Sequence, residues 1–315
     1  MVVDIGAGTG HTLRHIGKRG GVQRLFLCDM AENAVARDRD PDAAAEGRTV
    51  EHVRVEPGEK DEEAELEELL QENDGADDAT VQTGSTSAAV NQPPGRADSG
   101  SDLEVVRIVV DEEFLPFREH SADLVISNLA LHWVNDLPGT LRQVRRMLKP
   151  DGAFIGAIFG GDNLHELRAS LVAAELERRG GLSPRVSPSI QVADAARLLG
   201  DAGFRMPTVD TSYIEVEFNH AIDLLEFVQG MGESNAASQR HNDAPGDLLM
   251  GAASLYQMQH PANEDAHDLM ERGVKATFQV IFLIGWAPSA SQPKPLPRGS
   301  RPKGFHIRKD GTTEN

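Results

Sequence analysis

Apolar residues along most of this chain come in short runs separated by breakers. Val2-Val3-Asp4-Ile5 leads into Gly6-Ala7-Gly8-Thr9-Gly10, and residues 11–16 then take helix-like spacing. The chain therefore opens as strand, glycine turn and helix. Residues 24–28 (RLFLC) predict a second strand ending at Asp29. The β-branched runs 103–110 (LEVVRIVV) and 122–127 (ADLVIS) predict buried strands. Residues 137–148 have helical spacing and stop at Lys149-Pro150-Asp151-Gly152, a turn holding both breakers. Beyond it the pattern predicts a strand at 153–159, helices at 164–179 and 192–203, and a strand at 208–218. Helices at 221–231 and 246–259 follow, then a strongly apolar final strand at 277–286 (TFQVIFLIGW). Strands alternating with helices through short connections predict a doubly wound, mostly parallel α/β sheet.

The pattern breaks between residues 38 and 102, where aromatic residues all but vanish. One acidic helix fits residues 62–72 through Leu66, Leu69 and Leu70, and 84–101 reads as disordered linker. Good strand signals resume beyond it, so the stretch reads as a surface insertion. The expected organisation is one domain from residues 1–37 and 103–287, an acidic low-complexity insertion at 38–102, and a basic flexible tail at 288–315. The insertion carries 19 Asp/Glu against 5 Lys/Arg, a net of −14 out of −19 for the 315-residue chain. The remainder is −19 + 14 = −5, so global acidity says little about the partner. Cys28 is the single cysteine, which excludes an intramolecular disulfide and a cysteine-based zinc site and fits a reducing compartment. No stretch is long and apolar enough for a transmembrane helix, and no targeting peptide precedes the first strand. A strand beginning at residue 2 is expected of an N-terminally truncated chain or a fragment, whose open cofactor site would bind weakly.

Four predicted strands end in residues suited to a ligand: Asp4 to Gly10, Asp29, Asp111-Glu112 and Ser127-Asn128. Open parallel sheets bind ligands outside the carboxyl ends of their strands, where strand order reverses. Glycines there let backbone amides approach closely. Asp4, just before them, disfavours a pyrophosphate and suits a cationic or amine-bearing ligand. Asp29 can accept from both ribose hydroxyls of an adenosine, or cap the helix after it. Asp111 can accept from an adenine amino group supported by the Glu112 amide, or be a solvated turn charge. Phe114 and Leu115 either wall the adenine or pack in the core.

The segment Asp4-x-Gly6-x-Gly8-x-Gly10 resembles the first motif of class I S-adenosylmethionine (SAM)-dependent methyltransferases, rather than the dinucleotide fingerprint. Asp111-Glu112-Glu113-Phe114-Leu115-Pro116-Phe117, with Ala122-Asp123-Leu124-Val125 and Leu148-Lys149-Pro150-Asp151-Gly152, resembles the methyltransferase type 11 pattern. Asn128-Leu129-Ala130-Leu131-His132-Trp133-Val134-Asn135-Asp136-Leu137-Pro138 is similar to a narrower family, the methyltransferase-like assembly factors of mitochondrial complex I. So are Phe159-Gly160-Gly161-Asp162-Asn163-Leu164-His165-Glu166-Leu167-Arg168, Gln229-Gly230-Met231-Gly232-Glu233-Ser234-Asn235 and residues 293–300. The resemblance implies a Rossmann-like fold with SAM held by Asp4, Gly6, Gly8, Gly10, Asp29, Asp111, Glu112 and Asn128. It implies action at the matrix face of the inner membrane, with the complex I iron–sulfur subunit and assembly intermediates as partners and no nucleic acid. The family's reported reaction is hydroxylation of an arginine at the quinone site. A related branch methylates the carboxyl group of a biotin precursor, and a non-catalytic assembly chaperone is the reading from another class.

The candidates for chemistry follow the fourth core strand and lie further downstream. His132 suits a base and Trp133 can stack a guanidinium, or the pair closes the core. Asp162, Glu166 and Glu233 can hold an arginine by charge-assisted hydrogen bonds, or stand as surface acids. His165, Glu166, His11 and His15 do not form a convincing facial triad, so no metal is assigned, although a hydroxylation requires an oxidant.

Overall fold

The computed structural model describes residues 1–16, 21–35, 50–54, 103–181, 189–234, 246–263, 265 and 272–294. The parallel core strands are β1 (Val2–Ile5), β2 (Arg24–Asp29), β3 (Val50–Arg54), β4 (Glu104–Val109), β5 (Ala122–Asn128) and β6 (Leu148–Phe159). They are joined by β7 (Arg205–Phe218) and β8 (Val274–Trp286) in the order β3-β4-β2-β1-β5-β6-β8-β7. Only β8, antiparallel to β6 and β7, runs against the rest. The helices are α1 (Leu13–Ile16), α2 (Glu32–Val35), α3 (Leu137–Met147), α4 (His165–Arg179), α5 (Val192–Asp201), α6 (Ala221–Gly230) and α7 (Gly246–Gln259). A 3-10 turn, Leu131–Trp133, follows β5.

Alternation along the strands serves two faces. Val3 and Ile5 of β1 join Phe26, Val106, Val125 and Phe154 in one core, covered by Leu141, Val144 and Met147 of α3 and Leu199 of α5. Val2 joins Leu25 and Leu27 on the other face, where α1 contributes Leu13. Towards the β8 end, Phe159, Ala276, Phe278 and Val280 pack against Leu167 and Leu171 of α4, Leu224 of α6 and Leu248 and Tyr256 of α7. Helix α3 starts where expected because Asp136 accepts from the Gly139 amide at 2.9 Å and Pro138 occupies its first turn.

Two expectations change. Lys149-Pro150-Asp151-Gly152 ends α3 but does not separate it from the next strand. Strand β6 already begins at Leu148 and carries these residues as a bulge, since Ala122 pairs with Leu148 and Leu124 with Ala153. Asp151 takes a left-handed φ of +70° there. The second change falls within residues 38–102, where 50–54 form β3 and pair in parallel with β4 at the sheet edge. That part of the acidic stretch belongs to the sheet. The helix expected at 62–72, the linker at 84–101 and residues 295–315 of the tail lie outside the described residues. Among the described residues, no helix is long and apolar enough to cross a membrane.

Candidate functional site

The chain winds outward from β1 to β2 and β4 on one side, then crosses to β5 and β6 on the other. The reversal opens a crevice at the carboxyl ends of β1 and β5, as in other open α/β sheets. A cavity of about 520 Å³ lies there, lined by Gly6, Gly8, Asp29, Met30, Ala31, Asp111, Glu112 and Glu113 from the first half. Leu129, Ala130, Trp133, Val134 and Asn135 come from the segment after β5, and Met231, Gly232 and Glu233 from the turn after α6.

The glycine turn is shaped for close approach. Gly6 has φ +67°, and a side chain there would run into the Cβ of Ala130. Gly8 has φ +55° and faces open space, so a side chain there would be strained and would occupy ligand volume. The turn is tied to β2 by the Ala7 amide donating to the Cys28 carbonyl at 2.9 Å. Asp29 completes the tie: Oδ2 accepts from the Gly8 amide at 2.7 Å and Oδ1 from the Ala31 amide at 2.8 Å. The capping role and the ligand role of Asp29 are therefore compatible, because each carboxylate oxygen accepts more than one hydrogen bond.

Carboxylates dominate the first half of the pocket. Asp111 Oδ1 accepts from the Glu113 amide at 2.9 Å, which sets the turn after β4. Glu113 Oε1 accepts from the Asn135 amide at 2.7 Å and its Nδ2 at 2.9 Å, joining that turn to the segment after β5. Burial raises the Glu112 carboxyl above its usual range, and the negative charges of Asp29 and Asp111 add to the shift. Asp4, beneath the loop, is 1 % exposed, and among the described residues neither oxygen has a hydrogen-bond partner of good geometry. Its carboxyl is pushed up to about 6, first by burial and then by Asp29, against the opposing Thr12 hydroxyl.

The second half is built on a contact that spans a hundred residues. Glu233, 6 % exposed, accepts on Oε1 from His132 Nε2 at 2.8 Å and from Trp133 Nε1 at 3.1 Å. Gly232, with φ +82°, turns the chain after α6 so that Glu233 reaches them. The His132 ring packs against Phe159 and Trp133, with centroids 5.0 and 5.3 Å away. Only Trp133 and Glu233 line the cavity, and His132 supports them from behind.

Several expected residues sit elsewhere. Asp4 lies below the lining, and Gly10 (φ +82°) closes the loop onto Leu27 and Arg107. Asn128 is exposed, and its neighbours Leu129 and Ala130 take the lining positions. Asp162 is exposed and accepts from the Tyr213 hydroxyl at 3.0 Å, on the β7 side. Glu166 is buried, and accepts from the Thr277 hydroxyl at 2.5 Å and the Thr277 amide at 3.4 Å. It fastens α4 to β8 and lies outside the cavity lining, so Asp162, Glu166 and Glu233 do not form one arginine clamp. Phe114 is exposed, whereas Leu115 and Phe117 pack on the core. His11 and His15 face each other with Nε2 atoms 3.2 Å apart. Among the described residues, no three His, Cys, Asp or Glu side chains form a group able to hold a metal ion. Sequence reasoning missed Met30, Glu113, Asn135, Met231 and Gly232, which reach the cavity only through tertiary contact.

A doubly wound sheet with one antiparallel strand, and a glycine-and-acid crevice at its reversal, defines the class I SAM-dependent methyltransferase fold. The methyltransferase domain family matches residues 79–156. The chain is 48% identical over 200 residues to "Arginine-hydroxylase NDUFAF5, mitochondrial" of Danio rerio, covering 64% of this chain and 60% of that protein. It is 48% identical over 207 residues to the Homo sapiens protein of the same name, covering 66% of this chain and 58% of that one. It is also 32% identical over 206 residues to the "Malonyl-[acyl-carrier protein] O-methyltransferase" of a Methylovorus strain, covering 65% of this chain and 64% of that protein. The chain thus spans about three fifths of the length of these curated relatives.

Proposed function

We propose that this chain binds SAM in the cavity and acts in the assembly of mitochondrial complex I, on an arginine of the quinone-site iron–sulfur subunit, by a hydroxylation whose oxygen atom comes from an external oxidant such as dioxygen, with a co-reductant taking up the second oxygen atom as water. The observation that carries the cofactor reading is the charge of the lining. Asp29, Asp111, Glu112, Glu113 and Glu233 face the cavity, and no Lys, Arg or His among the described residues lines it. A pyrophosphate would meet repulsion there, whereas the sulfonium and ammonium of SAM would be attracted. Asp29 would accept from the ribose hydroxyls, Asp111 from the adenine amino group with the Glu112 amide supporting the ring, and the Gly6–Gly8 backbone would allow close approach. Bound SAM would supply an electrophilic methyl group on a sulfonium centre, which serves the methyl-transfer alternative, whereas the oxygen of a hydroxylation would come from the external oxidant. The chain's own residues bind and orient SAM, and the buried Asp4 charge adds to the attraction.

The same lining argues against methyl transfer to a small carboxylate, as the malonyl-carrier relative's name would suggest. A carboxylate entering this cavity would find five acids and no cation among the described residues. The arginine reading draws on the names of the mammalian and fish relatives, and a guanidinium suits the acidic wall. Their mitochondrial naming supports that compartment, and the resemblance supports the matrix face of the inner membrane. Mass spectrometry of the iron–sulfur subunit, from cells with and without this protein, tests the reading. The expected result is an arginine that gains one oxygen only when the protein is present. A gain of one methyl group would replace hydroxylation with transfer, and an unchanged mass with failed assembly would leave a chaperone.

A further inference from the structure

The half of the cavity away from the glycine turn has its own electrostatic logic. Both hydrogen bonds that Glu233 receives, from His132 and Trp133, converge on Oε1. Its other oxygen, Oε2, accepts none among the described residues, although the residue lines the cavity. The His132 Nδ1 atom is buried and has no hydrogen-bond partner among the described residues. The imidazole therefore meets Glu233 through Nε2 alone. Glu233 is thus a nearly buried carboxylate with one oxygen fixed by His132 and Trp133 and, among the described residues, one oxygen available. The indole of Trp133 is fixed by the same oxygen and lines the same wall.

We propose that Glu233 is the residue that selects a cationic substrate side chain. Its Oε2 receives the donors of a guanidinium that lies against the Trp133 ring, and His132 is the positioning residue that holds the carboxylate in place. A guanidinium matches both halves of this wall, since it is planar, stacks on aromatic faces and donates two parallel hydrogen bonds. The assignment rests on the reading of the cavity as the site of an arginine-modifying enzyme. It adds what that reading lacks, a residue that distinguishes arginine from neutral side chains of the same shape.

The chain has two tryptophans, Trp133 and Trp286, so a Trp286→Phe chain reports Trp133 emission alone. We would titrate it with acetyl-Ala-Arg-Ala-amide and with the citrulline counterpart, which keeps the shape and lacks the charge, in the presence and absence of SAM. The arginine peptide is expected to change the emission saturably and to bind at least about tenfold more tightly than the citrulline peptide. Glu233→Gln is expected to lose that preference while still binding SAM saturably. His132→Phe should shrink the preference, and His132→Gln, which keeps a donor, should retain it. Equal affinity of the parent chain for the two peptides overturns the proposal without recourse to any variant. So does a preference that survives in Glu233→Gln, and so does a variant that loses SAM and peptide together, which would assign Glu233 to the cofactor. An arginine preference in a chain that does not bind SAM would sustain this inference and sink the cofactor reading.

Discussion

Asp4 shows how a single buried carboxyl links stability to ligand. Its folded-state value of about 6 lies above the ordinary 3.8, so between these values the folded chain holds a proton that the unfolded chain has released. Stability therefore falls as pH rises through that window. The contribution is fully present below 3.8 and lost above about 6. At about 1.4 kcal/mol per unit, the ionised form costs on the order of 3 kcal/mol at neutral pH. Asp4→Asn removes this dependence, so its melting temperature should rise relative to the parent between pH 4 and pH 7.5. An identical difference at both ends of that range, measured by thermal denaturation, would contradict the assignment. On the proposed reading, a cationic ligand bound above the loop would offset the same cost.

Among the elements, the best-read were those whose signal is local. The glycine turn, the β2 and β4 strands with their terminal acids, and α3 with its cap follow from neighbouring residues alone. Strand β3 was hidden because Val50-Glu51-His52-Val53-Arg54 carries two apolar residues and lies in an acidic surrounding. Its place comes from pairing with β4, which no local pattern encodes. The contact between His132 and Glu233 joins residues 101 apart and was equally invisible as a pair. Glu166 misled for the opposite reason. An acid in the first turn of a helix ordinarily serves the helix dipole in solvent, but here it is buried and bonded to Thr277. Glu166→Gln should weaken the docking of α4 on β8 by about 1–2 kcal/mol, lowering the melting temperature by several degrees. SAM affinity should not change. Weaker binding with an unchanged melting temperature would return Glu166 to the site.

At the scale of the molecule, strand order is what turns scattered acids into a site. Asp29, Asp111 and Glu233 are far apart in sequence, and each ends or follows an element that terminates near the reversal between β1 and β5. The chain's large net charge plays little part in this, because most of it lies in residues 38–102, whereas the acids of the cavity are individually positioned. On the proposed reading, this crevice receives the cationic cofactor SAM. Isothermal titration of the full chain with SAM and with NAD⁺, alongside Gly8→Ala, tests it most directly. Saturable one-to-one binding of SAM is expected, at least about tenfold tighter than NAD⁺, with loss of that binding when a side chain fills the space at Gly8. No heat at millimolar SAM, or equal affinity for the two nucleotides, would contradict it.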